Sequence, residues 1–139
     1  MLEMYYKYRI KYNDCIIFIK VGNFYEVFDR DGLILNKMFG YKIKAIKNTI
    51  KVGFPLVKLN DILNSLSDIK YIVLENDNIV LKNDCNDNKY NNYDFDINKV
   101  IFNNIRLEKI YNSLYNKITD NNVGIILDEI ESIIWVIDY

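Results

Sequence analysis

The apolar positions alternate between strand-like and helix-like periods along the first 83 residues. Leu2 to Lys11, rich in tyrosine and ending at the turn signal Asn13-Asp14, predicts a short helix with Tyr5, Tyr8 and Tyr12 turned inward. Cys15-Ile16-Ile17-Phe18-Ile19-Lys20-Val21 is a β-branched run that predicts a buried strand. Gly22-Asn23 breaks it with a hairpin-type turn. Phe24-Tyr25-Glu26-Val27-Phe28 then resumes as a second strand, its alternation placing Phe24, Glu26 and Phe28 on one face. Asp29-Arg30-Asp31-Gly32 is expected to be a cap or turn. Leu33 to Phe39 follows as a helix with Leu33, Leu35, Met38 and Phe39 toward the core, stopped at Gly40.

Tyr41 to Ile46 alternates apolar residues with lysines, which suits a half-exposed strand, and Ile50 to Phe54 predicts another, closed by Pro55. Leu56 to Leu66 has helical spacing, with Leu59, Ile62, Leu63 and Leu66 on one side. Ile69 to Leu74 predicts a strand joined through Asn76-Asp77-Asn78 to Ile79-Val80-Leu81, a hairpin by its turn chemistry. The pattern is lost from Asn83 to Asn98, where Asn, Asp and Tyr dominate and a loop or linker is expected. Two helical patterns follow. One runs through Leu107, Ile110, Tyr111, Leu114 and Ile118; the other runs from Val123 to Ile137, of which Ile133 to Ile137 alone would also suit a strand. The expected division is therefore a domain over 1–83, an Asn/Asp-rich loop over 84–97 and a helical extension over 98–139, packed on or beside the domain.

A chain of 139 residues is one ordinary domain, half of it hydrophobic. Its net charge of −1 averages two unlike parts. Residues 1–83 carry 13 Lys/Arg against 9 Asp/Glu, a balance of +4; residues 84–139 carry 5 against 10, a balance of −5. Such asymmetry marks an interaction surface on one part of the chain. The lysine and asparagine abundance by itself reflects compositional bias. There is no histidine, so a His-based triad and His-containing zinc sites are excluded. Cys15 and Cys85 stand far apart and form no metal-ligand cluster; Cys15, at the head of a strand, is expected to be a buried structural thiol. Two lone cysteines without a secretory leader predict a reduced, cytoplasmic protein, and no apolar run is long enough for a membrane span.

Enzyme signatures are missing. There is no phosphate-binding Gly-x-x-x-x-Gly-Lys-Ser/Thr loop, and the five glycines are too scattered for a dinucleotide fingerprint. Asp29 and Asp31 at a helix start are expected to cap it, and Asp128, Glu129 and Glu131 to lie on the polar side of a helix. No catalytic residue, cofactor or metal site is expected.

One segment resists a purely structural explanation. Phe24 as a core residue and Glu26 as a solvated charge conflict, because both point to the same strand face. A functional face, where an aromatic stacks and an acid makes a directed hydrogen bond, resolves the conflict. The string Val-Gly-Asn-Phe-Tyr-Glu-Val-Phe around Phe24-x-Glu26 resembles the N-terminal mismatch-recognition domain of MutS DNA mismatch repair proteins. The flanking order agrees, from the tyrosine-rich helix and the apolar strand to Gly53-Phe54-Pro55 before a Leu-rich helix and the strand at Tyr71 to Glu75. The resemblance covers about residues 2–83.

The resemblance implies an α/β (α+β) fold, a mixed β-sheet with flanking helices, to which the C-terminal helices are added. It also implies non-catalytic binding of duplex DNA, mismatched or distorted, in the minor groove. Phe24 would wedge against the base and Glu26 would hydrogen-bond to it. Independently of the resemblance, Lys42, Lys44 and Lys47 lie in an acid-free stretch, with Lys37 and Lys51 just outside, and form a candidate phosphate-contacting strip. Asn23 departs from the usual Asp, and the strip lacks an Arg, so point charges would replace bidentate phosphate contacts. The chain is expected to act as a stand-alone module without an ATPase. Residues 84–139 do not resemble the family's next domain. They are expected either to pack on the open sheet face or, through the apolar stripe from Val123 to Ile137, to form a homodimer seam, with Trp135 and Tyr139 as anchors in either case. The alternative function is a protein-interaction module that keeps the fold without useful DNA affinity.

Overall fold

The computed structural model describes residues 1–46 and 48–138; Lys47 and Tyr139 lie outside the described residues. The chain divides into two compact units, Met1–Asn104 and Ile105–Tyr139.

In the first unit, α1 (Leu2–Arg9) leads into β1 (Ile16–Val21) and β2 (Phe24–Phe28), followed by α2 (Asp29–Phe39), β3 (Lys44–Ile46) and β4 (Thr49–Pro55). A short 3-10 turn, Leu56–Lys58, opens into α3 (Leu59–Asn64), and the hairpin of β5 (Tyr71–Glu75) and β6 (Asn78–Asn83) completes the sheet. The strand order is β3-β4-β2-β1-β5-β6. β1 and β5 run parallel while the other neighbours are antiparallel, so the sheet is mixed, as expected. The turn residues account for the hairpins: Gly22 takes φ +59 between β1 and β2, and Asn76 and Asp77 take φ +50 and +60 between β5 and β6.

Alternation sorts the strands into two faces. Ile16, Phe18, Tyr25, Val27, Val52, Phe54 and Val73 pack against Ile34 and Leu35 of α2 and Leu59 and Ile62 of α3. On the opposite face Ile17, Ile19, Phe28, Ile72 and Leu74 pack against Tyr5 of α1, whose ring centre lies 5.6 Å from that of Phe28. Cys15 is buried in this second cluster, and burial pushes its thiol up to about 12.

The strand expected over Tyr41 to Ile46 is confined to Lys44–Ile46, and the helix expected over Leu56 to Leu66 to Leu59–Asn64 after its 3-10 turn. Two further regions differ more deeply from the sequence expectation. α2 begins at Asp29 directly from the end of β2, and Asp29-Arg30-Asp31-Gly32 is its first turn. Neither aspartate acts as the expected cap. Asp29 adopts φ +49, and its carboxylate accepts a hydrogen bond from the Thr49 hydroxyl. Asp31 is fully buried and accepts from the Arg9 guanidinium, from the Ile17 backbone N–H (3.0 Å) and from the Tyr90 hydroxyl (2.5 Å). Gly32 lets this turn approach the sheet: a Cβ there would sit 3.1 Å from the Val27 carbonyl oxygen and 3.4 Å from the Val52 side chain. Gly32→Val is accordingly expected to cost about 1–3 kcal/mol of unfolding free energy in a urea titration, because neither central strand can retreat.

The second region is the segment after Asn83, which follows no periodic pattern yet is fastened at defined points. Tyr90 is buried, and Tyr93 and Phe95 pack against the same cluster. Arg30 donates to the carbonyls of Tyr90 (3.1 Å) and Tyr93 and lies over the Tyr90 ring. Asn88 accepts from the Lys70 N–H (2.9 Å) and donates to the Asp14 carbonyl (2.7 Å).

α4 (Ile97–Lys117) starts in the first unit, where the Asp96 carboxylate caps it by accepting from the Lys99 N–H (3.1 Å), and continues into the second. α5 (Val123–Asp138) follows a turn fixed by Asn122, which accepts from the Thr119 N–H (2.7 Å) and donates to the Lys117 carbonyl (3.1 Å). Ile133 to Ile137 is helical throughout. None of residues 105–137 is buried. No helix among the described residues is long and apolar enough to cross a membrane.

Candidate nucleic-acid interface

The face of β2 carrying Phe24, Glu26 and Phe28 changes character along its length. Phe28 is 3% exposed beneath Tyr5 of α1, Glu26 is half-buried, and Phe24 is 51% exposed. Tyr25 and Val27 anchor the strand from the other side. The Tyr25 hydroxyl donates to Glu75 (2.8 Å), and burial pushes this phenol up to about 12, so it stays a donor. A large exposed aromatic on a strand gripped this way is held outward at some cost in unburied apolar surface.

The neighbouring strands complete the surroundings. Phe24 lies opposite Val21 of β1 and Pro55 of β4, and the turn before it is tied down by the Leu56 N–H donating to the Asn23 carbonyl (3.2 Å). Glu26 lies opposite Gly53, which contributes no side chain and leaves the floor open. Lys51, on β4 opposite Lys44 of β3, reaches the Glu26 carboxylate, with Nζ 2.9 Å from Oε2. Val21, Phe24, Glu26, Lys42, Lys44, Lys51 and Gly53 together line an open concavity of about 390 Å³.

Of the five expected site residues, Phe24, Glu26, Lys42 and Lys44 come together here, although they derive from two separate segments of the chain. The expected contribution of Lys47 lies outside the described residues. Lys51, a flanking member of the lysine strip, lines the same concavity and pairs with Glu26. That pairing comes from the alignment of β2 with β4, which joins residues distant in sequence.

The chemistry of this surface is specific. Three lysines around one carboxylate leave it net positive, which suits a polyanion. The aromatic ring projects from the positive rim, where it can stack on or insert beside a flat apolar partner. Glu26 supplies hydrogen-bond acceptors directed into the concavity, and Lys51 offsets the repulsion that a bare carboxylate would exert on an anionic partner.

The chain matches the family model described as MutS domain I over residues 1–101. It is 32% identical over 78 residues to the DNA mismatch repair protein MutS of Lactobacillus acidophilus, covering 52% of this chain and 9% of that protein. Against MutS of Thermotoga petrophila the identity is 29% over 73 residues, covering 52% and 9%. Against MutS of Borreliella afzelii it is 36% over 55 residues, covering 40% and 6%. The chain thus spans under a tenth of these relatives' length. The family match runs past Asn83 and takes in the segment that Tyr90 fastens to the core. With the match extending over most of its length, the chain belongs to the MutS domain I family.

Proposed function

We propose that this chain is a non-catalytic, intracellular DNA-binding module linked to mismatch repair, which engages mismatched or distorted duplex DNA from the minor-groove side. Phe24 is the wedge, Glu26 the acid that contacts the displaced or mispaired base, and Lys42, Lys44 and Lys47 the phosphate contacts. The observation that carries this reading is the half-exposed Phe24 beside Glu26 on a lysine-rimmed concavity, at the uncovered end of a strand face that is otherwise core. Inserting an apolar side chain at a base step unstacks it for a few kcal/mol, and a mismatched step resists less. Selectivity then arises from deformability of the duplex more than from base-by-base reading. Lys51 has a double use: it offsets Glu26 in the free protein and lies where a phosphate could take it over.

Fluorescence anisotropy at low salt, comparing a G·T or unpaired-base duplex with its matched control, tests the reading. Tighter binding to the distorted duplex supports it. Negligible binding to both at high micromolar protein would overturn it and favour a protein-interaction module. The lysines make a separate expectation. Lys42→Ala and Lys44→Ala should each weaken binding to every duplex alike and flatten the slope of log K against log salt by about 0.9. A salt series on each variant checks this.

A further inference from the structure

The second unit is built unlike the first. Twelve large apolar side chains among residues 105–137 are exposed, Ile133, Trp135 and Ile137 by 61%, 63% and 75%. At on the order of 100 Å² apiece they offer more than the roughly 800 Å² per partner that a specific interface uses. The two helices are also opposite in charge. Residues 105–117 carry Arg106, Lys109 and Lys117 against Glu108, whereas α5 carries Asp128, Glu129 and Glu131 and no Lys or Arg. These groups have a defined layout. Lys109, Ile110, Ser113, Leu114 and Lys117 share one open face of α4, apolar in the middle with a lysine at either end. On α5, Leu127, Asp128, Glu131, Ile134 and Trp135 recur at helical spacing and share one side, apolar and acidic together.

We propose that two copies of this chain pair through their C-terminal helices, α5 of each packed on the lysine-flanked face of α4 of the other. One chain carries both the basic apolar face and the acidic apolar ridge. A two-fold axis therefore satisfies both at once, whereas a foreign partner would have to match each separately. The product is a four-helix arrangement, the smallest in which helices this apolar are covered on more than one side. Charge fixes the pairing of unlike helices and disfavours α5 against α5, where acid would meet acid.

The test uses the full chain in sedimentation equilibrium, with two charge-reversed variants, Lys109→Glu/Lys117→Glu and Asp128→Lys/Glu131→Lys. All four positions are exposed, so helix content by circular dichroism should match the parent. The parent should be a dimer at micromolar concentration, and each variant should self-associate more weakly by roughly a hundredfold or more. An equimolar mixture of the two variants should recover a 1:1 mixed dimer. A parent that stays monomeric at high micromolar concentration overturns the proposal. So do variants that dimerise like the parent, or a mixture that stays monomeric.

Discussion

Asp31→Ala is expected to destabilise the domain by about 3–5 kcal/mol, because it removes a buried acceptor shared by several donors. The Asp31 carboxylate is the shared acceptor for three donors that have little access to water: the Ile17 N–H of β1, the Tyr90 hydroxyl and the Arg9 guanidinium, whose side chain is only 19% exposed. Alanine deprives the Ile17 N–H and the Tyr90 hydroxyl of this acceptor and leaves Arg9, still donating to the Tyr12 and Cys15 carbonyls, without its counter-charge, loosening the contacts that join α1, α2, β1 and the segment around Tyr90. Asp31→Asn should cost less, because an acceptor oxygen survives. The two can be ranked by urea unfolding. pH supplies a second check. Burial pushes the Asp31 carboxyl up to about 6, against the opposing pull of Arg9, Tyr90 and the Ile17 N–H. Its folded value thus exceeds its ordinary one, so its contribution to stability is fully present below about pH 4 and is lost as pH rises through about 6. The parent should therefore gain stability relative to Asp31→Asn as pH falls from 7 to 4.

Phe24→Ala is expected to lower affinity for a mismatched duplex by about 1–3 kcal/mol, or roughly 5- to 150-fold, the range found when an aromatic that stacks on a base is truncated. It should leave stability nearly unchanged, since the ring is half exposed and lies outside both core clusters. That separation sets Phe24 apart from Phe28, two residues along the same face. Phe28 is buried against Tyr5, and Phe28→Ala should unfold the domain more readily by about 3–5 kcal/mol. One strand thus carries a structural phenylalanine and a functional one, and the two substitutions should show opposite patterns in unfolding and binding.

The contrast also explains how much was legible in the sequence. Alternation alone put Phe24, Glu26 and Phe28 on one face, and the clash between an apolar and an acidic neighbour there flagged a site. Which end of that face is open depends on where α1 lies across the sheet, and no local pattern encodes that. The central strands and the helices packed on them were readable because they carry the apolar residues of the two core clusters, whereas β6, α4 and α5 show a period without burying it. The start of α2 was not readable: Asp29 to Gly32 has the composition of a turn, and its two aspartates serve tertiary partners, Thr49, Arg9, Ile17 and Tyr90, in place of the helix end. The segment carrying Tyr90 was equally opaque, because a few side chains docked at irregular intervals leave no period. Lys51 was legible as a flank of the lysine strip, but its pairing with Glu26 was not, because only the β2–β4 alignment brings the two side chains together.

The most direct test of the wedge is a binding cycle at low salt, measuring dissociation constants of the parent and Phe24→Ala for a G·T duplex and its matched control. The parent should favour the mismatched duplex, and Phe24→Ala should bring the two constants together by weakening mostly the mismatched complex. A parent with no preference, or a preference that survives intact in Phe24→Ala, would contradict the assignment of Phe24 as the wedge.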